Sequence, residues 1–329
     1  MLYLLNRLFQ AAIVLAATAF LSFIIVRYIG DPVNNMMGQN ATLGEREAMR
    51  HALGLDQSVP VQFLQFVQRI VSGDFGVSYR YGQSVGGLIQ ERLPASLELS
   101  FCSMLIATGL GIPLGVWTAI ARNSPLAQAV LAFSVIGVAL PTFLIGIVLI
   151  LIFSVWLGWL PAFGRGEVVD LGGWTTGLLT KSGLKSLILP GVTLGLFEMT
   201  LILRLVRAEM IEVLRSDFIK FARARGLLER DIIYRHALRN ALLPVATIVA
   251  LQFGNLFAFA VIVETVFQWP GLGLLIIQAI QFADVPVLAA YLVMISGFFA
   301  LLNLAVDILS ALLDPRIRHK SGMFREART

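Results

Sequence analysis

The sequence predicts an all-α fold, a polytopic membrane protein with six transmembrane helices and both termini in the cytoplasm, and three observations predict it. Of the 329 residues, 57% are hydrophobic and only 14% charged, too few charges to clothe a soluble globule of this size. The apolar residues gather in blocks near the ~20 residues a helix needs to cross about 30 Å of hydrocarbon, where no water satisfies an open backbone. The 25 Lys and Arg fall mostly between those blocks.

The first block, 8–26, is longer than a signal-peptide core and has further spans after it, so it reads as a retained first helix. Residues 1–29 are assigned to that helix. Residues 30–96 are expected to form an extracytoplasmic loop subdomain. They are polar, carry an amphipathic stretch of Val61, Phe63, Leu64, Phe66, Val67 and Ile70, and have glycine turns predicted at 72–74 and 86–87. A membrane core of five further helices follows over 97–313, and a cytoplasmic tail over 314–329.

Span two, 99–121, is free of charge, and its Gly111 and Gly115 form a GxxxG that allows close helix approach, within the subunit or between subunits. The stretch 123–164 also lacks charge and contains Pro141, which predicts one long kinked helix over about 128–157, then Trp156 and Trp159 at the interface. Span four, 186–205, is interrupted by Glu198 and Arg204. Spans five and six, 240–263 and 285–306, again hold no charge.

Basic residues orient the chain. With the N-terminus inside, sixteen Lys and Arg lie on the cytoplasmic side and nine outside, six of them in the long first outer loop, where the positive-inside rule is weak. Nine of the sixteen run from Arg204 to Arg239, eight of them in a cytoplasmic loop over 207–240, where Gly226 separates two helical patterns expected to lie at the membrane surface.

Much chemistry is excluded. The net charge of +5 is spread between apolar blocks in a membrane pattern, so no nucleic-acid partner is expected. Cys102 stands alone, which rules out an internal disulfide, and His51, His236 and His319 are dispersed, so no metal site is expected. The four lysines follow Thr180, Leu184, Ile219 and His319, so no Gly-Lys pair exists to build a phosphate-cradling loop. HExxH and GxSxG are also absent, and no catalytic residue is expected. An ionisable residue at membrane depth marks a paired contact or a functional path. Glu198 is such a residue, paired with Arg204 or a neighbouring helix, or placed on a transport path.

The run Phe218, Ile219, Lys220, Phe221, Ala222, Arg223, Ala224, Arg225, Gly226, Leu227, Leu228, followed by Tyr234 to Pro244, resembles the signature loop of ABC-importer permeases. More narrowly, the chain is similar to the B-type permease of the dipeptide, oligopeptide and nickel branch. Other motifs fall in the same order: Leu53 to Gln57, Gly73 to Ser78, Ala139 to Phe143, and Glu264 to Gly273. The family signature is named for Glu-Ala-Ala ahead of the glycine. Here Lys220, Phe221 and Ala222 stand there, so the glutamate is missing, and Pro244 lies 18 residues beyond Gly226, a longer spacing than the general importer pattern.

The resemblance implies that the loop forms a short coupling helix docked in a groove of a cytoplasmic ATPase, with Lys220, Ala222, Arg223, Ala224, Arg225, Gly226, His236, Arg239 and Asn240 as the coupling residues. It places Glu264, Trp269, Pro270 and Gly271 near the translocation mouth. It also implies a second, C-type permease subunit, two cytoplasmic ATP-binding subunits that hold ATP and Mg, an extracytoplasmic substrate-binding protein, and contact with membrane lipid in a bacterial cytoplasmic (inner) membrane. No cofactor is expected on this chain. Charge alone would also fit a positive-inside loop touching anionic lipid, and the spans alone a self-contained ion-coupled carrier or channel. The cargo is left open among dipeptides, longer peptides, glutathione and nickel chelates.

Overall fold

In a computed structural model, residues 2–28, 33, 42–52 and 55–313 are described. The expected tail, 314–329, and residues 53–54 of the Leu53 to Gln57 motif lie outside them. Eleven helices are used below: α1 Leu2–Tyr28, α2 Leu43–Ala52, α3 Val59–Val71, α4 Val85–Ile120, α5 Pro125–Ala139, α6 Thr142–Trp156, α7 Lys181–Arg215, α8 Asp217–Ala224, α9 Glu229–Val266, α10 Leu272–Gln281 and α11 Val285–Leu313. Two two-residue strands, β1 Val169–Asp170 and β2 Thr175–Thr176, pair antiparallel, a small exception to an all-helical chain.

Five of the helices are long and apolar enough to cross a membrane: α1, α4, α7, α9 and α11. The long kinked third helix expected over 128–157 is instead two short apolar helices. α5 and α6 are separated at Leu140 and Pro141, because the proline ring removes a donor and clashes with the preceding turn. The last seven residues of α6, Ile150–Trp156, are π-helical. The fourth span, broken on paper by Glu198 and Arg204, belongs to the 35-residue α7, whose apolar part is mostly buried, so protein and not lipid surrounds much of it. The helical pattern expected after Gly226 is not a separate surface helix; it runs without a break into the fifth span as α9. Gly86 and Gly87 form no turn but lie in the first turn of α4, since Ser84 caps that helix by accepting from the Gly87 N–H.

The chain divides into two compact units, Met1–Leu93 with Leu274–Leu304, and Pro94–Gly273 with Ala305–Thr329. In the first unit, the amphipathic pattern read from 61–70 is α3, whose Phe63 and Phe66 pack edge-on and tilted against Phe20 and Phe23 of α1. Gln62 is buried with them because all its polar atoms are used: its amide donates to the carbonyls of Leu55 and Gln57, and its oxygen accepts from Arg27 at 2.7 Å. Ahead of α11, the carboxylate of Asp284, 1% exposed, accepts from the Ser78 hydroxyl and from the backbone N–H groups of Tyr79 and Arg80. Arg80 also stacks 3.5 Å over the Phe282 ring.

In the second unit, α7 is the central helix, packed against α9, α6 and α5. The two glycines of the GxxxG face it. A Cβ on Gly115 would meet Val206 at 2.7 Å and the Leu203 carbonyl at 2.8 Å, and one on Gly111 would meet Ile202 at 3.0 Å. The motif is therefore consumed inside the subunit. The β1–β2 hairpin is bound to α4 by Arg165, whose guanidinium lies 2.6 Å from Glu98 and also donates to Thr175; both charges are buried, so each depends on the other.

Candidate functional site

The turn between α7 and α9 forms from strictly local chemistry. α7 stops at Ser216, which adopts extended backbone (φ −66°, ψ 155°) and so breaks the helical run. α8 then starts with Asp217 at the positive end of the helix dipole, paired with Lys220 at 2.8 Å. That hydrogen bond and the ammonium charge hold the Asp217 carboxyl below its ordinary range. One face of α8 is anchored: Ile219 and Ala222 are buried in the same apolar cluster as Val206 and Met210 of α7 and Ile232, Ala237 and Ala241 of α9. The flank beside that face is open, with Phe221 64% and Phe218 46% exposed.

α8 ends in a Schellman motif. The N–H of Gly226 donates to the Arg223 carbonyl and that of Leu227 to the Ala222 carbonyl, the paired 5→2 and 6→1 bonds that require a left-handed residue between them. Gly226 supplies it at φ +77°. Arg223 bridges the turn, its Nε donating to Glu229 at 2.6 Å and its Nη2 to the other carboxylate oxygen at 3.4 Å. The bond to Glu229 pushes the Arg223 pKa up. Arg225 lies 5.8 Å from the Phe221 ring, and Leu228 beyond it is 72% exposed.

Of the residues expected here, Lys220, Arg223, Ala224, Arg225 and Gly226 are gathered at the exposed turn, while Ala222 faces inward. His236, Arg239 and Asn240 lie farther along, His236 in the π-helical segment Ile232–Ala237 and the other two just beyond it. His236 is half-buried and its carbonyl accepts from the Asn240 amide at 2.7 Å. Among the described residues, no hydrogen bond or ion pair ties these three to the turn itself. Glu229 was not anticipated, although an acid six residues after Arg223 with a glycine between them is a signal the sequence does carry.

At the other end of α9, Glu264 and Trp269 are almost wholly buried (0% and 1% exposed), as is Gly271, while Pro270 is half-buried. The Ser96 hydroxyl donates to Glu264 at 2.5 Å and accepts from the Leu272 N–H at 2.8 Å. The Trp269 indole donates to the Ala95 carbonyl at 2.9 Å. Gly271 and Gly273 lie against the Glu264 carboxylate so closely that a side chain on either would displace it. These groups form a lock between this turn and Ala95 and Ser96 of α4, and, Pro270 apart, their side chains offer almost no free surface. Ser96 gave no warning in the sequence, since it is 168 residues away from Glu264.

Midway along α7, Glu198 is 3% exposed and its partner is the amide of Gln252 on α9, at 3.1 Å; the ion pair with Arg204 does not form. The neighbouring-helix alternative is the one observed.

A family model described as the binding-protein-dependent transport system inner membrane component matches residues 111–319, and a model of that component's N-terminal part matches residues 1–100. The dipeptide transport system permease protein DppB of Alkalihalophilus pseudofirmus is 36% identical over 330 residues, spanning 96% of this chain and 99% of the relative. The glutathione transport system permease protein GsiC of Salmonella choleraesuis is 36% identical over 319 residues, spanning 97% and 99%. Among solved structures, the MetNI methionine ABC transporter in an inward-facing conformation matches with a TM-score of 0.55 at 19% identity, over 69% of this chain and 96% of that one, a likeness of fold.

Proposed function

This chain belongs to the family of binding-protein-dependent transport system inner-membrane components and is a permease subunit of an ABC importer, and from that premise we propose that it forms half of the translocation pathway for short peptides. The peptide cargo is supported by relatives that carry dipeptides and the tripeptide glutathione. In this proposal six spans are made by α1, α4, α5 with α6, α7, α9 and α11, both termini face the cytoplasm, and the membrane is the bacterial inner membrane. Residues 30–96 are the extracytoplasmic subdomain, 97–313 the permease core with its coupling loop 207–240, and 314–329 the cytoplasmic tail.

The partners in this reading are a C-type permease subunit, two cytoplasmic ATP-binding subunits and an extracytoplasmic substrate-binding protein, with lipid around the spans and no nucleic acid. ATP and Mg reside on the ATPase subunits. This chain binds no cofactor and performs no catalysis.

The observation that carries the reading is the construction of the α8 turn. Ile219 and Ala222 bury one face of α8 among side chains of α7 and α9, while Phe218 and Phe221 beside that face, and Leu228 beyond the turn, stand open. A groove on an ATPase that seats the open face can push α8, and the buried face passes the push to α7 and α9 as a rigid displacement, because close-packed cores shift as blocks. Lys220, Arg225 and Arg239 are placed to add charged contacts; Arg223 holds the turn through Glu229. Glu264, Trp269, Pro270 and Gly271 act at the external mouth by fixing the α9–α10 turn, not by touching cargo.

The test is uptake by the reconstituted four-component importer with its binding protein. Accumulation of di- and tripeptides that requires ATP and the ATPase subunits supports the reading. Uptake by this chain without ATPases, driven by an ion gradient, would refute it.

A further inference from the structure

Along the membrane part of α9, the side chains that the subunit leaves open, Leu243 apart, form one stripe: Pro244, Ile248, Leu251, Asn255, Phe259 and Ile262. Their spacing of three and four residues puts them on a single helix face. All are apolar except Asn255. An amide facing hydrocarbon would have no partner to replace water, and polar groups at membrane depth are kept where they meet a cavity, a partner or a transported solute. Lipid is therefore a poor cover for this face at Asn255.

Asn255 is also the outer end of a relay. Its Nδ2 donates to Oε1 of Gln252 at 2.8 Å, and the Nε2 of Gln252 donates to Oε2 of the buried Glu198 on α7 at 3.1 Å. Both amides donate inward. The relay consequently ends, on the open face, in the Oδ1 of Asn255, which takes no hydrogen bond among the described residues. A relay with this polarity fixes the orientation of the Asn255 amide and leaves its carbonyl oxygen free to accept from a donor.

We propose that Asn255, held by Gln252 and Glu198, is a polar station on the translocation path, where its side-chain carbonyl accepts a hydrogen bond from the α-ammonium or a peptide N–H of a short peptide. This rests on the peptide-import reading above. Two features favour cargo over a second subunit as the occupant. The stripe around Asn255 offers no other polar group to complete a paired subunit contact. One acceptor among apolar neighbours also gives the weak, directional hold that a pathway needs, enough to admit a solute and too little to retain it. Gln252 and Glu198 are positioning residues: they fix which amide atom faces outward.

The experiment uses the complete importer in proteoliposomes with its binding protein and a labelled dialanine, reading ATP-driven uptake, ATP hydrolysis and co-purification of the second permease in parallel. Asn255→Leu removes the acceptor, and uptake is expected to fall about tenfold, the scale of one lost hydrogen bond, while hydrolysis and co-purification persist. Asn255→Gln, which keeps an amide N–H for Gln252 and an acceptor oxygen, keeps most uptake. Glu198→Gln, which can still accept from Gln252, retains most uptake, whereas Glu198→Leu behaves like Asn255→Leu. Parental uptake in Asn255→Leu overturns the proposal. So does loss of the second permease from that variant, which would make the stripe a subunit interface. If the unsubstituted importer takes up no dialanine or other short peptide, the cargo reading itself fails, an outcome distinct from either.

Discussion

Gly226 stands at φ +77° with open space around the position a Cβ would occupy, so a side chain there meets no neighbour and is opposed only by its own backbone. This separates conformational cost from steric clash. An ordinary L-residue pays about 1–2 kcal/mol in the left-handed region, with Asn paying least and β-branched residues most. The cost falls on the Schellman closure, since leaving the left-handed region breaks the bonds from the Gly226 N–H to Arg223 and from the Leu227 N–H to Ala222. A penalty of about 1–2 kcal/mol lowers the population of the intact turn roughly 5- to 30-fold relative to its alternatives. Transport by the reconstituted importer should therefore decline in the order Gly226, Asn, Ala, Val. Insertion into the membrane should be unaffected, because the spans are untouched. The assay is initial peptide uptake per unit of inserted protein at fixed ATP, with ATP hydrolysis measured alongside. Equal uptake by Gly226→Val and Gly226→Asn would refute the argument that the left-handed turn is what couples α8 to the spans.

Three further outcomes follow from other contacts. Arg223→Glu should weaken co-purification with the ATPase by opening the turn, and the double reversal Arg223→Glu with Glu229→Arg should recover most of it; the exposed pair contributes about 0.2–1 kcal/mol, so a double variant no better than the single one would show Arg223 to be a direct docking contact. Ser96→Ala removes the hydroxyl that donates to the buried Glu264 carboxylate and accepts from the Leu272 N–H, a loss of about 1–3 kcal/mol, and should lower the melting temperature of the detergent-purified chain by several degrees; an unchanged melting temperature would disprove the lock. For orientation, Ser78 is a poor labelling site because it is buried against Asp284, so cysteines belong at the exposed Gln83 and Lys220 in a Cys102→Ser background. An impermeant maleimide should label Gln83→Cys in intact cells and Lys220→Cys only after lysis, and labelling of both from one side contradicts the topology.

What the sequence disclosed was set by how local the determinant is. The spans and the α3 stripe follow from side-chain spacing within one element, and the α8 turn from one glycine beside a short helix, so all were legible. The break at Pro141 was legible as a kink, but its depth was not, because two short helices and one bent helix share the same composition. α10 escaped because a short, mostly apolar ten-residue helix beside a longer span carries no boundary signal of its own. Gly86 and Gly87 misled, since a glycine pair reads as a turn until Ser84 is recognised as the cap. The bonds that define the external end of α9 were beyond reach: Ser96 with Glu264 and Ala95 with Trp269 join residues more than 160 positions apart, and nothing at either position specifies the other. Glu198 shows the same limit. Its presence at membrane depth was visible, but its choice of Gln252 over Arg204 depends on how α7 and α9 pack.

The central claim, that the open face of α8 seats on an ATPase, is tested most directly by proximity. A single cysteine at Phe221, in a Cys102→Ser background, should cross-link to an ATP-binding subunit in the assembled importer when a short bifunctional thiol reagent meets a cysteine placed in that subunit's groove. The yield should change when nucleotide closes the ATPase pair. Failure of Phe221→Cys to cross-link to an ATPase subunit, in an importer that still takes up peptide with ATP, would contradict the account.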